Sequence, residues 1–154
     1  MSLGVQYNFT GSVVIISGAA SGVGAATAWA CATYGAKVIA IDVDAKGLAA
    51  LQPIAGIETH TLDVADACAV DTLVADVVAR HGRIDAAVLA AAVQARIPVD
   101  ELSDAEWRRH MAVNLDGVFH IIRRVAPIMR AQRSGSLLAF TSGLVNMGWP
   151  GASA

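Results

Sequence analysis

Cysteine is scarce in this 154-residue chain, with only Cys31 and Cys68. Neither has a partner at metal-ligand spacing, so a disulfide framework and a Cys-based zinc site are both excluded. Both thiols fall inside predicted helices, where small buried core positions are the expectation. Charge is also sparse: 16% of residues are charged and the formal net charge is −2, which argues against nucleic acid or an anionic membrane surface as partner. Long apolar runs are missing. The longest candidate, residues 86–93, is strand-sized and too short to span a bilayer. The first residues show no basic stretch followed by an apolar core, so no secretory leader is expected. With two cysteines and no leader pattern, a reducing compartment, the cytoplasm, is the expected location. The four histidines, His60, His81, His110 and His120, share no spacing suited to a metal or to catalysis. They read as structural or exposed.

Alanine, valine and glycine are plentiful, and they are ordered. Val13 to Ile16 are β-branched and apolar on both faces, as in a parallel strand buried between helix layers. Ser17-Gly18-Ala19-Ala20-Ser21-Gly22-Val23-Gly24 follows, and a helical pattern opens behind it. Gly18 permits a sharp turn, Gly22 lets the main chain approach a ligand, and Gly24 lets the helix pack close to the sheet. The free N–H groups at the start of that helix form a seat for a pyrophosphate.

The remaining elements alternate. Helix is expected over 22–34, strand over Lys37–Asp42, short helix over 44–51, strand over 57–62, helix over Ala67–His81 and strand over Ala86–Leu89. Val70, Leu73, Val74, Val77 and Val78 give the 67–81 helix one apolar stripe. Ser103 and Glu106 read as a capping box opening a helix that reaches Gly117. A second helix runs over 118–133, bent at Pro127 and stopped by Gly135, and a last strand covers 136–140. Trp29 and Tyr34 read as packing residues. This is an α/β pattern with a Rossmann-like, doubly wound parallel sheet in the order 3-2-1-4-5.

Asp42 stands at the C-terminal end of the second strand, where ligands gather in such sheets. A carboxylate there can accept hydrogen bonds from both ribose hydroxyls of an adenosine. It would repel a 2′-phosphate by roughly 4 kcal/mol per unit charge at 4 Å before screening. That favours NAD over NADP. A solvated turn acid is the competing reading.

The spacing Ser17-Gly18-x-x-x-Gly22-x-Gly24 resembles the T-G-x-x-x-G-x-G fingerprint of the short-chain dehydrogenases/reductases, with Ser for Thr, and the resemblance runs along essentially the whole chain. It implies a cofactor held by Ser17, Gly18, Ser21, Gly22, Val23, Gly24, Asp42, Val43, Asp63, Val64, Ala90, Ala91, Ala92 and Val113. Asp63 and Val64 would seat the adenine, although Asp63 or Asp66 could instead cap the following helix. Asn114, in an N-x-x-G setting with Gly117, matches the family's helix-interrupting Asn, which holds a relay water. Ser142, in Thr141-Ser142-Gly143, matches the catalytic Ser after the fifth strand. One departure stands out: where the family reads N-N-A-G, this chain reads Leu89-Ala90-Ala91-Ala92, so the amides that tie that loop are lost. Other residues must tie it, or the loop is more mobile.

The family's Tyr-x-x-x-Lys pair, expected about a dozen residues after Ser142, is not in the sequence. Tyr7 and Tyr34 are the two tyrosines, and Tyr34-Gly35-Ala36-Lys37 has the wrong spacing. Residues 1–154 therefore read as a single NAD-binding domain, cut short on its C-terminal side and inactive alone. The implied reaction is hydride transfer between NAD and a secondary alcohol or ketone, with Met147 and Trp149 facing a small-molecule substrate and the complete protein a homo-oligomer. A non-catalytic nucleotide-binding module is the rival. A nucleoside-using methyltransferase would share the strand-loop-helix geometry but not account for Asn114 and Ser142 together.

Overall fold

A run of β-branched residues apolar on both faces belongs between two helix layers, and Val13 to Ile16 lie there, buried at the centre of the sheet. The structure, a computed structural model, describes residues 7–143. Five parallel strands, β1 (Val13–Ser17), β2 (Lys37–Asp42), β3 (Ile57–Thr61), β4 (Ala86–Leu89) and β5 (Ser136–Ala139), pair in the order 3-2-1-4-5. Helices α1 (Gly22–Thr33), α2 (Ala45–Ala49), α3 (Ala67–His81), α4 (Asp104–Met111) and α5 (Gly117–Gln132) provide the crossovers. Ile15 pairs with Ile39 of β2 on one side and Ala87 of β4 on the other.

Strand alternation divides the core in two. Val13, Ile15, Ile39, Ile41 and Leu89 face α3 and α5, meeting Val70, Leu73, Val74, Val77, Ile121 and Val125. Val14, Ile16, Val38, Ala40 and Val88 face α1 and α2, meeting Ala28, Leu48 and Leu51. That second face carries four buried alanines, Ala19, Ala28, Ala36 and Ala40, where the first carries Ala87 alone.

Local chemistry sets the element ends. Asp44, Asp66 and Ser103 each accept backbone N–H bonds at the starts of α2, α3 and α4. Gly82 ends α3 in the left-handed conformation, φ 72°. Several expectations are corrected. The capping box is half formed: Ser103 Oγ accepts from Glu106 N, but the Glu106 carboxylate turns to Arg109. Helix α5 stops at Arg133, itself left-handed at φ 56°, two residues before Gly135. Trp29 is exposed rather than packed, and Tyr34 meets Tyr7 and Phe9 edge to face. Cys68 is exposed at the start of α3, whereas Cys31 is partly buried and its thiol is pushed up by desolvation. Between α4 and α5 the chain makes a π-helical turn, Ala112–Asp116, in place of a continuous helix. Strand β5 is exposed along its length. Among the described residues no helix is long and apolar enough to cross a membrane.

Candidate cofactor cleft

In an open parallel sheet the strand order reverses at one point, and loops diverging there leave a crevice at the carboxyl ends of the strands. Here the reversal lies between β1 and β4. A cleft of roughly 550 Å³ opens at that place. It is lined by Gly18, Ser21, Gly22, Val23, Gly24, Asp42, Val43, Leu62, Asp63, Val64, Ala90, Ala91, Ala92, Val93, Arg109, Val113 and Phe140. Of the residues expected to hold a cofactor, one falls outside the lining: Ser17 is buried beneath the cleft. Asn114 and Ser142 do not line it either. Ser142 is exposed, three residues beyond the end of β5. Met147 and Trp149 lie outside the described residues.

The glycine turn is shaped by contacts within the protein as well as by space for a ligand. Gly18 has φ 69°, and a Cβ there would stand 2.6 Å from the Ala90 carbonyl carbon and the Ala91 nitrogen. A Cβ on Gly24 would strike the Gly18 carbonyl, so this glycine lets α1 pack on the turn rather than directly on the sheet. Gly22, at φ 53°, has no protein atom within 4 Å of where its Cβ would be, and it borders the cleft. The first N–H groups of a helix have no intrahelical partner. Ser21 makes no side-chain capping bond to those of α1, and no acid stands in its first turn. A positive helix end with uncapped donors therefore faces the cleft, which suits an anionic pyrophosphate.

Asp42 joins the second strand to this turn. Its Oδ2 accepts from Ala20 N and its Oδ1 from Asp44 N, both at 3.0 Å. Each carboxylate oxygen keeps further acceptor capacity toward the cleft. Asp44 is occupied with capping α2. Farther along, Asp66 caps α3 by accepting from Cys68 N and Ala69 N, while Asp63 borders the cleft and accepts from Ala65 N. Of the two acids, Asp66 is therefore the one that caps α3.

The loop after β4 is tied without the missing asparagines. Ala90 N donates to Ser17 O, and Ala91 N reaches Ser17 Oγ at 3.4 Å. Asn114 Oδ1 accepts from Val93 N at 2.8 Å, and its Nδ2 donates to Val93 O at 2.9 Å. His110, fully buried, accepts from Ala95 N at 3.0 Å through Nε2. Both ends of the Asn114 amide thus clasp Val93.

Sequence reasoning missed Arg109 at the cleft. It stands one helical turn before Val113, and that spacing alone would have placed both on one face. Its guanidinium pairs with Glu106 at 2.8 Å, which holds the Glu106 carboxyl below its ordinary range. Leu62, Val93 and Phe140 were also missed: Leu62 and Phe140 were expected as the last residues of strands but stand just past β3 and β5, and Val93 lies in a loop, which declares no face in sequence.

Residues 12–154 match the family model described as short chain dehydrogenase. The chain is 36% identical to D-threitol dehydrogenase of Mycolicibacterium smegmatis, covering 92% of this chain and 56% of the relative. It is 35% identical to a 3-oxoacyl-(acyl-carrier-protein) reductase of Thermotoga maritima, covering 92% and 59%. It thus spans a little over half the length of the curated relatives it matches. Among solved structures, a metagenomic short-chain oxidoreductase in complex with NADP superposes with TM-score 0.88 at 30% identity, covering 94% of this chain and 68% of that one. Levodione reductase superposes with TM-score 0.86 at 35% identity, covering 95% and 60%. The glycine turn at the β1–β4 crevice, the strand order and these matches agree, and the chain belongs to the short-chain dehydrogenase/reductase family.

Proposed function

We propose that this chain is the NAD-binding part, a single domain, of an oxidoreductase acting on a secondary alcohol or ketone. The carrying observation is Asp42 on the wall of the cleft beside the glycine turn. The uncapped start of α1 and the open space at Gly22 fit the pyrophosphate of a dinucleotide. Asp42 and Val43 would take the adenosine ribose, Asp63 and Val64 the adenine. The bound nicotinamide would supply the hydride chemistry. Ser142 would donate a hydrogen bond to the substrate oxygen. Both polar ends of the Asn114 amide are engaged by Val93, so a relay water would be held by the backbone of its π-helical turn.

A proton donor is also needed. Tyr7 and Tyr34 lie 5.5 Å apart, ring to ring, at the N-terminal lead-in, and neither is followed by Lys four residues on. This favours a second reading for the 154 residues taken alone: a module that binds the dinucleotide without turnover. We further propose a homo-oligomer assembled through α4, α5 and the π-helical turn between them, where Trp107, Leu115 and Phe119 are exposed, and a cytoplasmic location for a protein with two free thiols.

Calorimetric titration with NADH and NADPH tests the reading. One-third of the roughly 4 kcal/mol Coulomb repulsion estimated for a 2′-phosphate beside Asp42 already corresponds to about tenfold in affinity. NADH should bind at least that much more tightly, and Asp42→Ala should narrow the gap. Equal affinities in the unaltered protein would sink the assignment of Asp42.

A further inference from the structure

We propose that His110 is a positioning residue, which latches the loop leaving β4 and so sets one wall of the cofactor cleft. The loop is extended: Ala91, Val93, Ala95 and Ile97 are half-buried, and Ala92, Gln94 and Arg96 between them are exposed. An extended backbone outside a regular ladder still needs partners for its inward N–H groups. Three successive inward amides each find a side-chain acceptor: Ala91 N has Ser17 Oγ, Val93 N has Asn114 Oδ1 and Ala95 N has His110 Nε2. Side chains from β1, α4 and the π-helical turn thus replace a missing neighbouring strand.

The spacing fits. His110 and Asn114 are four residues apart, about 6 Å along a helix axis. Val93 and Ala95 are two residues apart in extended chain, about 6.7 Å. The two pitches nearly match, so two acceptors on one helix face meet two donors on one loop face. The ring's protonation follows from its partners. Nδ1 lies 2.8 Å from the Glu106 carbonyl oxygen, which can only accept, and Nε2 lies 3.0 Å from Ala95 N, which can only donate. His110 is therefore a neutral imidazole with its proton on Nδ1 and a bare acceptor on Nε2. It is completely buried, so neither bond competes with water.

The consequence for binding rests on the dinucleotide reading above. On that reading, with β2 and β3 on one side of β1 and β4 and β5 on the other, Asp42 and Asp63 would take the adenosine end, and the loop residues 90–93 that line the cleft would border the nicotinamide end. A latch at Ala95 acts on the second end alone.

The test uses His110→Phe, which keeps a buried planar ring without an acceptor, and His110→Gln, whose side-chain oxygen can still accept. Hydrogen exchange at the Ala95 amide and affinities for NADH and AMP are measured in each. In His110→Phe the Ala95 amide should exchange roughly tenfold faster or more. NADH binding should weaken roughly five- to 150-fold, the range for stranding a buried donor, and AMP binding by less than about twofold. His110→Gln should restore both. Unchanged Ala95 protection in His110→Phe overturns the latch. Equal losses for NADH and AMP overturn its placement at the nicotinamide end. If His110→Phe fails to fold, the ring-nitrogen shifts of unaltered His110 decide, because a protonated Nε2 is incompatible with the latch. An unaltered protein that binds neither NADH nor AMP refutes the dinucleotide reading, while Ala95 protection and the ring shifts still judge the latch.

Discussion

Alanine placed in turn at Gly18, Gly22 and Gly24 separates three physical effects within seven residues. Gly18 combines φ 69° with a Cβ position 2.6 Å from main-chain atoms of Ala90 and Ala91. Those atoms are held by Ser17 and lie at the end of a central strand, so they cannot yield as a flexible side chain would. A left-handed non-glycine residue costs about 1–2 kcal/mol, and overpacking adds about 1–3. Gly18→Ala should therefore lose about 2–5 kcal/mol, a large part of the roughly 5–15 typical of a domain. Gly24→Ala carries the steric part alone, since its Cβ would meet the Gly18 carbonyl, and should lose about 1–3 kcal/mol. Gly22→Ala carries the conformational part alone, about 1–2 kcal/mol, because φ is 53° and no protein atom lies within 4 Å. Its methyl would border the cleft, so NADH affinity should fall out of proportion to stability. Urea titration followed by circular dichroism gives the stabilities, and calorimetry gives the affinities. If Gly18→Ala proves no less stable than Gly22→Ala, the contact with the loop after β4 is wrong. A Gly24→Ala variant as stable as the parent would refute the packing of α1 on the turn.

Glu58 is held down to about pKa 2, chiefly by its hydrogen bonds from Arg80, against an ordinary 4.5. Its pairing therefore stabilises the fold fully above about pH 4.5 and loses that contribution as pH falls toward 2. Discounted for solvent screening this is on the order of 1 kcal/mol, so Glu58→Gln should be less stable at neutral pH and should flatten that acid-side loss in melting experiments. For the proposed oligomer, sedimentation of the complete protein at micromolar concentration should show a species larger than the monomer, and Phe119→Glu should dissociate it; a monomer throughout would refute the α4–α5 surface. Purified residues 1–154 should bind NADH yet not reduce ketones. A positioned general acid contributes about 10²–10⁴ in rate, and a panel of ketones reduced at enzyme-like rates would reveal a proton source other than the one expected.

Strands β1, β2 and β4 have the bounds that their apolar runs suggest, and α3 has both ends marked, by Asp66 and by Gly82. These signals are local: a strand buried on both faces must be apolar throughout, and a cap acts within three residues. What sequence reasoning missed depends on residues far apart in the chain. The clasp of Asn114 on Val93 spans 21 positions and that of His110 on Ala95 spans 15. Neither helix nor loop announces the other. The loss of the family's asparagines was visible after β4, but its remedy lay on β1, α4 and the π-helical turn. The stop at Arg133 was hidden for another reason, since glycine is the expected left-handed residue and Gly135 stood nearby. The exposure of Trp29 depends on which helix face meets the sheet, and an alanine-rich helix such as α1 gives little amphipathic signal, whereas Cys68 lies off the α3 stripe and its exposure was legible in that spacing.

The sheet's two faces also imply two different mutational tolerances. Toward α3 and α5 the core is made of Ile, Leu and Val, and loss of a methylene there leaves a void whose cost depends on how far the neighbours relax. Toward α1 and α2, Ala19, Ala28, Ala36 and Ala40 have almost nothing left to lose, and nearly every exchange adds volume. Helix α1 lies close to the strands because of that smallness, and the same closeness carries its first turn to the crevice. A saturation scan should therefore be lopsided. The α3–α5 side should accept graded aliphatic exchanges, while the α1–α2 side should reject enlargement abruptly, and its larger substitutions should displace the glycine turn before they unfold the chain.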